Sequence, residues 1–318
     1  MRKSTGILTI TVLVLSASAF GGSLQKDEVS RDANWVVHAD LESFNKSRIG
    51  RLVRAELVSQ PDEEKLKSFA TVYSFHPIDD VRDVTVYGRG QDKEKAVALI
   101  DGKFEEEKLI AVVRMNAEHK EIPYGDIKLH RWLHEEKKKG EVKTQMMYGG
   151  ILKGRLVVMS SGLDAVKQAV DVLKGSAENA AGRSFDLEAR AGSGVFFQAM
   201  ATDVGEIVGK QQGAAVLRKT DELGLAIGEN EDKVYCSLGL SAKTAVVAQN
   251  VKKMLDGLIA LALLAGEDQP KLAEFAGHLK PSCEGNTVRL RFELDSQLVF
   301  DFLKEQWEKK QKQQGKDQ

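Results

Sequence analysis

Cysteine, aromatic residues, surplus charge and long apolar runs are all scarce in this chain of 318 residues. Its 2 cysteines cannot form a disulfide scaffold, so stability has to come from a packed core. Aromatic residues make up 6%, with Trp35, Trp132 and Trp307 as the tryptophans, which disfavours a stacking platform for sugars or bases. The 46 Lys and Arg against 47 Asp and Glu leave no basic excess, so nucleic acid is not an expected partner. A bilayer-spanning helix needs roughly 20 apolar residues. The run Ile7 to Leu15 is about half that, and no integral membrane segment is expected in the mature chain.

What is present starts with an export signal. Arg2 and Lys3 supply a positive end, Ile7 to Leu15 the apolar stretch, and Ala17-Ser18-Ala19 a small-residue cleavage pattern. Residues 1–19 therefore read as a signal peptide, and the mature chain as a periplasmic or extracellular protein. No cysteine stands at the cleavage site, which argues against an N-terminal lipid anchor. In an oxidising compartment Cys236 and Cys283 are free to bond, the alternative being two separate buried thiols.

The remaining 299 residues alternate short apolar runs with longer amphipathic ones. After a polar leader over 20–32, Trp35, Val37, Ala39 and Leu41 alternate with more polar positions as a half-buried strand does. Ser47 then caps a helix through Ile49, Leu52, Val53 and Leu57. Val81 to Tyr87 and Lys95 to Ile100 flank the turn at Gly88-Arg89-Gly90 as a hairpin, and Phe104 to Val113 has helical spacing. Ile127 to His134 alternates as a strand, and Glu135 to Gly140 reads as a charged loop. A strand follows over Thr144 to Tyr148, then a turn from Gly149 to Gly154 and a strand from Arg155 to Met159. Ser161 and Asp164 make a capping-box-like start to a helix that ends at Gly175.

The second half follows a similar order. Val195 to Ala199 matches Trp35 to Ala39, Glu222 to Gly228 and Lys233 to Leu238 restate the hairpin, and an apolar helix runs from Val251 to Leu264. Thr287 to Leu294 and Asp295 to Trp307 restate the last strand and helix. The expected class is α+β: two related two-layer modules of antiparallel sheet covered by helices, over 33–176 and 192–308. A linker over 177–191 separates them, and a disordered tail covers 309–318.

Three segments carry a resemblance: Asn34 to Leu41, Gly154 to Ser161 leading into an amphipathic helix, and the restart at Gly194 to Phe197. They resemble secreted bacterial proteins of unknown function that carry duplicated α+β modules. The resemblance implies the fold and an envelope or extracellular setting, and it implies no activity.

Candidate chemistry is thin. On a strand, His38, Asp40 and Glu42 would share one face, neighbours about 7 Å apart, so that Asp40 could orient His38 as a general base. The competing reading makes them a strand end serving the turn into the next helix, and Gln198 stands where the second half would repeat His38. His130 and His134 have the spacing of a helical metal pair, but on a strand they stand roughly 13 Å apart, too far for one zinc. Gly88-Arg89-Gly90 and Gly149-Gly150 lack the lysine and hydroxyl of a phosphate loop and read as turns. The apolar helix is too short to span a bilayer and suits a core or, second, a dimer interface. No cofactor and no metal are expected. The sequence suits a non-enzymatic binding or assembly module that meets a protein or envelope component. The alternative is an envelope hydrolase with a site assembled from distant residues, His38 and Asp40 among them.

Overall fold

The computed structural model describes residues 24–58, 62–73, 75–138, 141–152, 156–183, 194–208, 216–267 and 269–314. The proposed signal peptide lies outside them. The fold is α+β, helices with antiparallel sheet, in two compact units. One unit is Met1–Glu42 with Pro61–Arg183, the other Ser43–Gln60 with Ser184–Gln318.

In the first unit the strands are β1 (Trp35–Asp40), β2 (Val81–Gly88), β3 (Val97–Gly102), β4 (Lys120–Tyr124), β5 (Ile127–Lys138), β6 (Glu141–Leu152) and β7 (Leu156–Ser160). They lie in the order β1-β2-β3-β7-β6-β5-β4 with every described pair antiparallel. Helices α1 (Leu41–Lys46), α2 (Arg48–Val58), α3 (Asp62–Tyr73), α4 (Glu106–Arg114) and α5 (Leu163–Leu173) come in this half of the sequence, α1 from Ser43 onward and α2 belonging to the other unit. The core is built from Val36, Tyr87, Leu99, Leu129 and Val158 of the sheet and Val166, Ala169 and Val170 of α5. The Tyr124 hydroxyl donates to Asp171 of α5 at 2.7 Å, fixing that helix on the sheet face that Tyr124 shares with Leu129.

Several expectations change here. The strand at 35–40 is present, but its buried residues are Val36, His38 and Asp40, while Trp35, Val37 and Ala39 are half-exposed. The polar set faces inward because it finds partners there. Glu135 to Lys138 is not a loop: β5 runs through it and pairs with β6 as far as Lys138↔Glu141. Gly149 and Gly150 lie inside β6, not in a turn. A Cβ at Gly149 would stand 2.7 Å from the Val158 carbonyl oxygen, and one at Gly150 2.9 Å from Leu129, so close approach is what requires glycine there. Ser161 does not cap α5, since its hydroxyl donates to the Lys93 carbonyl; Ser160 accepts from the Gly162 amide instead.

The leader and the first part of the expected linker are structured together. Ser30 bridges to Asn179, Ala180 donates its amide to Val29 at 2.9 Å, and Arg183 donates to the carbonyls of Arg31 and Ala33. Val29, Ala33 and Ala180 are buried by this contact.

The second unit carries β8 (Val195–Thr202), β9 (Thr220–Asn230), β10 (Lys233–Ala242), β11 (Lys280–Glu284) and β12 (Thr287–Asp295) in the order β8-β9-β10-β12-β11. Its helices are α2, α6 (Val204–Val208), α7 (Ala245–Leu264), α8 (Pro270–Gly277) and α9 (Ser296–Gln314). Helix α9 thus enters the tail expected to be disordered. Leu240, Ala242 and Val288 of the sheet meet Ala248 and Val251 of α7 in one cluster. Phe275 of α8 joins Phe292 of β12 at 5.0 Å and stacks on Phe302 of α9 at 5.3 Å, so these helices cover the same face.

Segment 43–60, read from sequence as part of the first module, is held in the second unit by Glu229 at the end of β9. Its carboxylate accepts from the amides of Arg48 and Ile49 at 2.5 and 2.8 Å, meeting two of the free donors at the start of α2. The Ser296 hydroxyl donates to the same carboxylate at 2.7 Å at the start of α9. Phe44 packs edge-on against Phe196, and Lys304 of α9 pairs with Glu56.

Candidate functional site

His38 and Asp40 do share a face, as the strand spacing requires, but it is the inward one. His38 is 4% exposed and Asp40 0%. The His38 Nδ1 lies 2.8 Å from the Thr85 hydroxyl on its cross-strand neighbour. Asp40 accepts from the Glu42 amide at 3.0 Å, so its carboxylate serves the start of α1. Glu42 is on that helix and exposed, away from the strand face expected for it. The three residues therefore form no solvent-facing catalytic group: two stabilise the strand end and the third has left it.

The second histidine pair is also redrawn. His130 and His134 are on strand β5, as read, and the partner of His130 is His119, which sequence reasoning did not single out. The two rings stack with centroids 5.4 Å apart, and His119 Nε2 lies 3.1 Å from His130 Nδ1. One ring donates and the other accepts, so the two nitrogens must take complementary roles. Burial, and then the neighbouring His119, push the His130 pKa below its ordinary value. Beside them Glu121 bonds Arg114 and Lys128, which hold its carboxyl down to about 2. Asn116, just before this cluster, accepts from the Leu133 amide and donates to the Leu133 carbonyl, acting as a strand neighbour for β5 past the end of β4. Among the described residues no group of three or more His, Cys, Asp or Glu could hold a metal ion.

Cys236 and Cys283 are unbonded, and register explains it. Cys236 pairs with Phe292 on β12 and Cys283 with Val288 on the same strand, from opposite sides. Four residues along and two strands across put their Cα atoms about 16 Å apart, against the 7 Å limit for a disulfide. Burial pushes the Cys236 thiol up to about 11, so it stays protonated at neutral pH. Gly88 and Gly90 shape a turn around Trp35, whose indole donates to the Gly90 carbonyl at 3.1 Å.

The feature with the most unsatisfied surface is α7. Thr244 caps its start by accepting from the Val247 amide, and Ala248 and Val251 anchor one side in the core. The other side carries Val246, Met254, Leu258, Leu261 and Leu264, each between 54% and 81% exposed. At 100° per residue these five fall within one third of the helix circumference. Sequence reasoning places this helix in the core, or second in a dimer interface, because it is apolar around most of its circumference. Only the core-facing side is covered, and no composition rule marks which side that is. No helix among the described residues is long and apolar enough to cross a membrane.

No family model matches the chain, and no curated protein matches it. Its similarity to solved structures is of low grade. Crystal form I of TP0453 is 8% identical at a TM-score of 0.48, covering 89% of this chain and 97% of that one. Crystal form IV is 9% identical at 0.46, covering 87% and 95%.

Proposed function

We propose that this chain is an exported, non-enzymatic binding or assembly protein whose contact surface is the outward apolar face of α7. The observation that carries the reading is the cluster of five large, exposed apolar side chains on one side of a helix that Ala248 and Val251 anchor in the core from its other side. A patch of this kind on a folded protein marks an interaction site. Its partner is a protein or another envelope component; the near-balance of charge favours neither nucleic acid nor a strongly acidic ligand.

The alternative, an envelope hydrolase with a site assembled from distant residues including His38 and Asp40, has less support, because these two residues are engaged inside the sheet face. A panel of ester, amide and glycoside substrates tests it, and turnover abolished by His38→Ala would overturn the binding reading. The binding surface itself is tested with Leu261→Cys, made together with Cys236→Ser and Cys283→Ser. The thiol should react quickly with a maleimide in dilute purified protein and slowly in the cells that export it. Equal, fast reaction in both settings sinks the proposal.

A further inference from the structure

The partner of α7 is a second copy of this chain; we infer that two α7 helices pair antiparallel about a two-fold axis passing beside Gly257. This rests on the reading of the α7 face as a contact surface and names what covers it.

The first argument is area. Five side chains of on the order of 120 Å² exposed each present about 600 Å² of apolar surface, the upper end of what a lone monomer shows. With the exposed Asn250 and Lys253 alongside, the face approaches the ~800 Å² that each partner buries in a standard interface. The second argument is Gly257. It stands in mid-helix among these residues, and a Cβ built on it would meet nothing within 4 Å, so nothing inside the chain calls for glycine there. A glycine in a helix interior costs roughly 0.5–1 kcal/mol relative to alanine. Close approach of another helix is the physical use for such a gap, since it leaves a hole for a facing side chain.

The face is also self-complementary, as a two-fold contact must be. With the axis between positions 257 and 258, Gly257 of each copy faces Leu258 of the other, and Met254 faces Leu261. Leu258, 61% exposed, is thus the knob and Gly257 the hole. The residues that meet about the axis, Met254, Gly257, Leu258 and Leu261 of both copies, carry no charge, and Lys253 lies at the edge of the face. Lys252 and Asp256 pair with each other at 2.8 Å. A bilayer surface fits less well. It needs no hole, and helices that lie on lipid carry basic residues and aromatics that the half of α7 after Asp256 lacks.

The test is the mass of the exported chain by light scattering across a dilution series. A dimer is expected at tens of micromolar, with dissociation into monomers at roughly micromolar concentration or below. Leu258→Glu should weaken association by about 100-fold or more while leaving the circular dichroism spectrum unchanged, because the side chain is exposed in the monomer. Gly257→Ala gives the opposing signature. It should raise the melting temperature of the dilute monomer, yet weaken the dimer by about tenfold. A monomer at all concentrations overturns the dimer. So does a Gly257→Ala chain that dimerises as tightly as the parent. Binding of monomers to vesicles of phosphatidylcholine with phosphatidylglycerol, lost in Leu258→Glu, overturns it in favour of lipid. If the chain is monomeric but the thiol at position 261 is protected in cells, only the identity of the partner fails; if the thiol is reactive in both settings, the contact surface fails too.

Discussion

The two units follow one plan and enlarge it in different places. Each begins with a strand and a helix, continues with a hairpin, crosses by a helix to the sheet edge, returns strand by strand to the hairpin, and closes with a helix. In the second unit the return takes two strands, β11 and β12; in the first it takes four, β4 to β7. Their outermost hairpins turn alike, with Gly125 and Gly285 at φ of 60° and 57° followed by Asp126 and Asn286. The crossing helix shows the reverse inequality: α4 has 9 residues and α7 has 20. One unit has spent its extra length on sheet, where pairing satisfies it internally. The other has spent it on a helix with one apolar side left in solvent. The lesson is that similar plans leave different surfaces, and the surface follows the added piece.

The comparison breaks hardest at Glu229, which serves the starts of α2 and α9 at once. Glu229→Ala should cost about 2–4 kcal/mol by leaving two backbone donors and Ser296 unmet. Hydrogen exchange should rise across 48–58 and 296–314 and stay unchanged in β5 and β6; a uniform rise would show that the units do not respond separately. In the first unit the matching weak point is the backbone approach inside β6. Gly149→Val should cost about 2–3 kcal/mol in urea denaturation, by forcing β6 from β7. Indifference there would mean that the long return is loosely packed.

A smaller effect concerns pH. Because burial lowers the His130 pKa, the unfolded chain binds more protons than the folded one below the ordinary value of 6.5. Stability of the first unit should therefore be full above about pH 6.5 and fall as the pH drops below it. His119, Glu121, Arg114 and Lys128 surround this titration, and His130→Phe should flatten it in denaturation curves taken at several pH values. Smallest is the cysteine test. Adding a reductant should leave the melting temperature unchanged, whereas a drop would contradict the spacing of about 16 Å derived from strand register.

The α+β class and most of the strands of both units were legible from alternation and turn residues. The face of β1 was not, since alternation assumes that apolar residues point inward, and Thr85, which partners His38, is 47 residues away. The β5–β6 hairpin was hidden because its end is a run of charged residues, Glu135 to Lys138, which is paired strand to strand but carries no apolar alternation to read. Helix α7 shows the limit best: an apolar circumference reveals that burial is wanted, but not by what. His119 had no local signal, because the stacking with His130 depends on the bend at Asn116.

That bend has a consequence for how the chain behaves at high concentration. Strand β5 outlasts β4, and a naked strand edge invites any extended peptide to add on and start a fibre. Asn116 occupies the first open position with its own amide, and the run Glu135-Glu136-Lys137-Lys138 makes the rest unwelcoming by charge. The part of β5 that extends past β4 is thereby guarded against the addition of a strand.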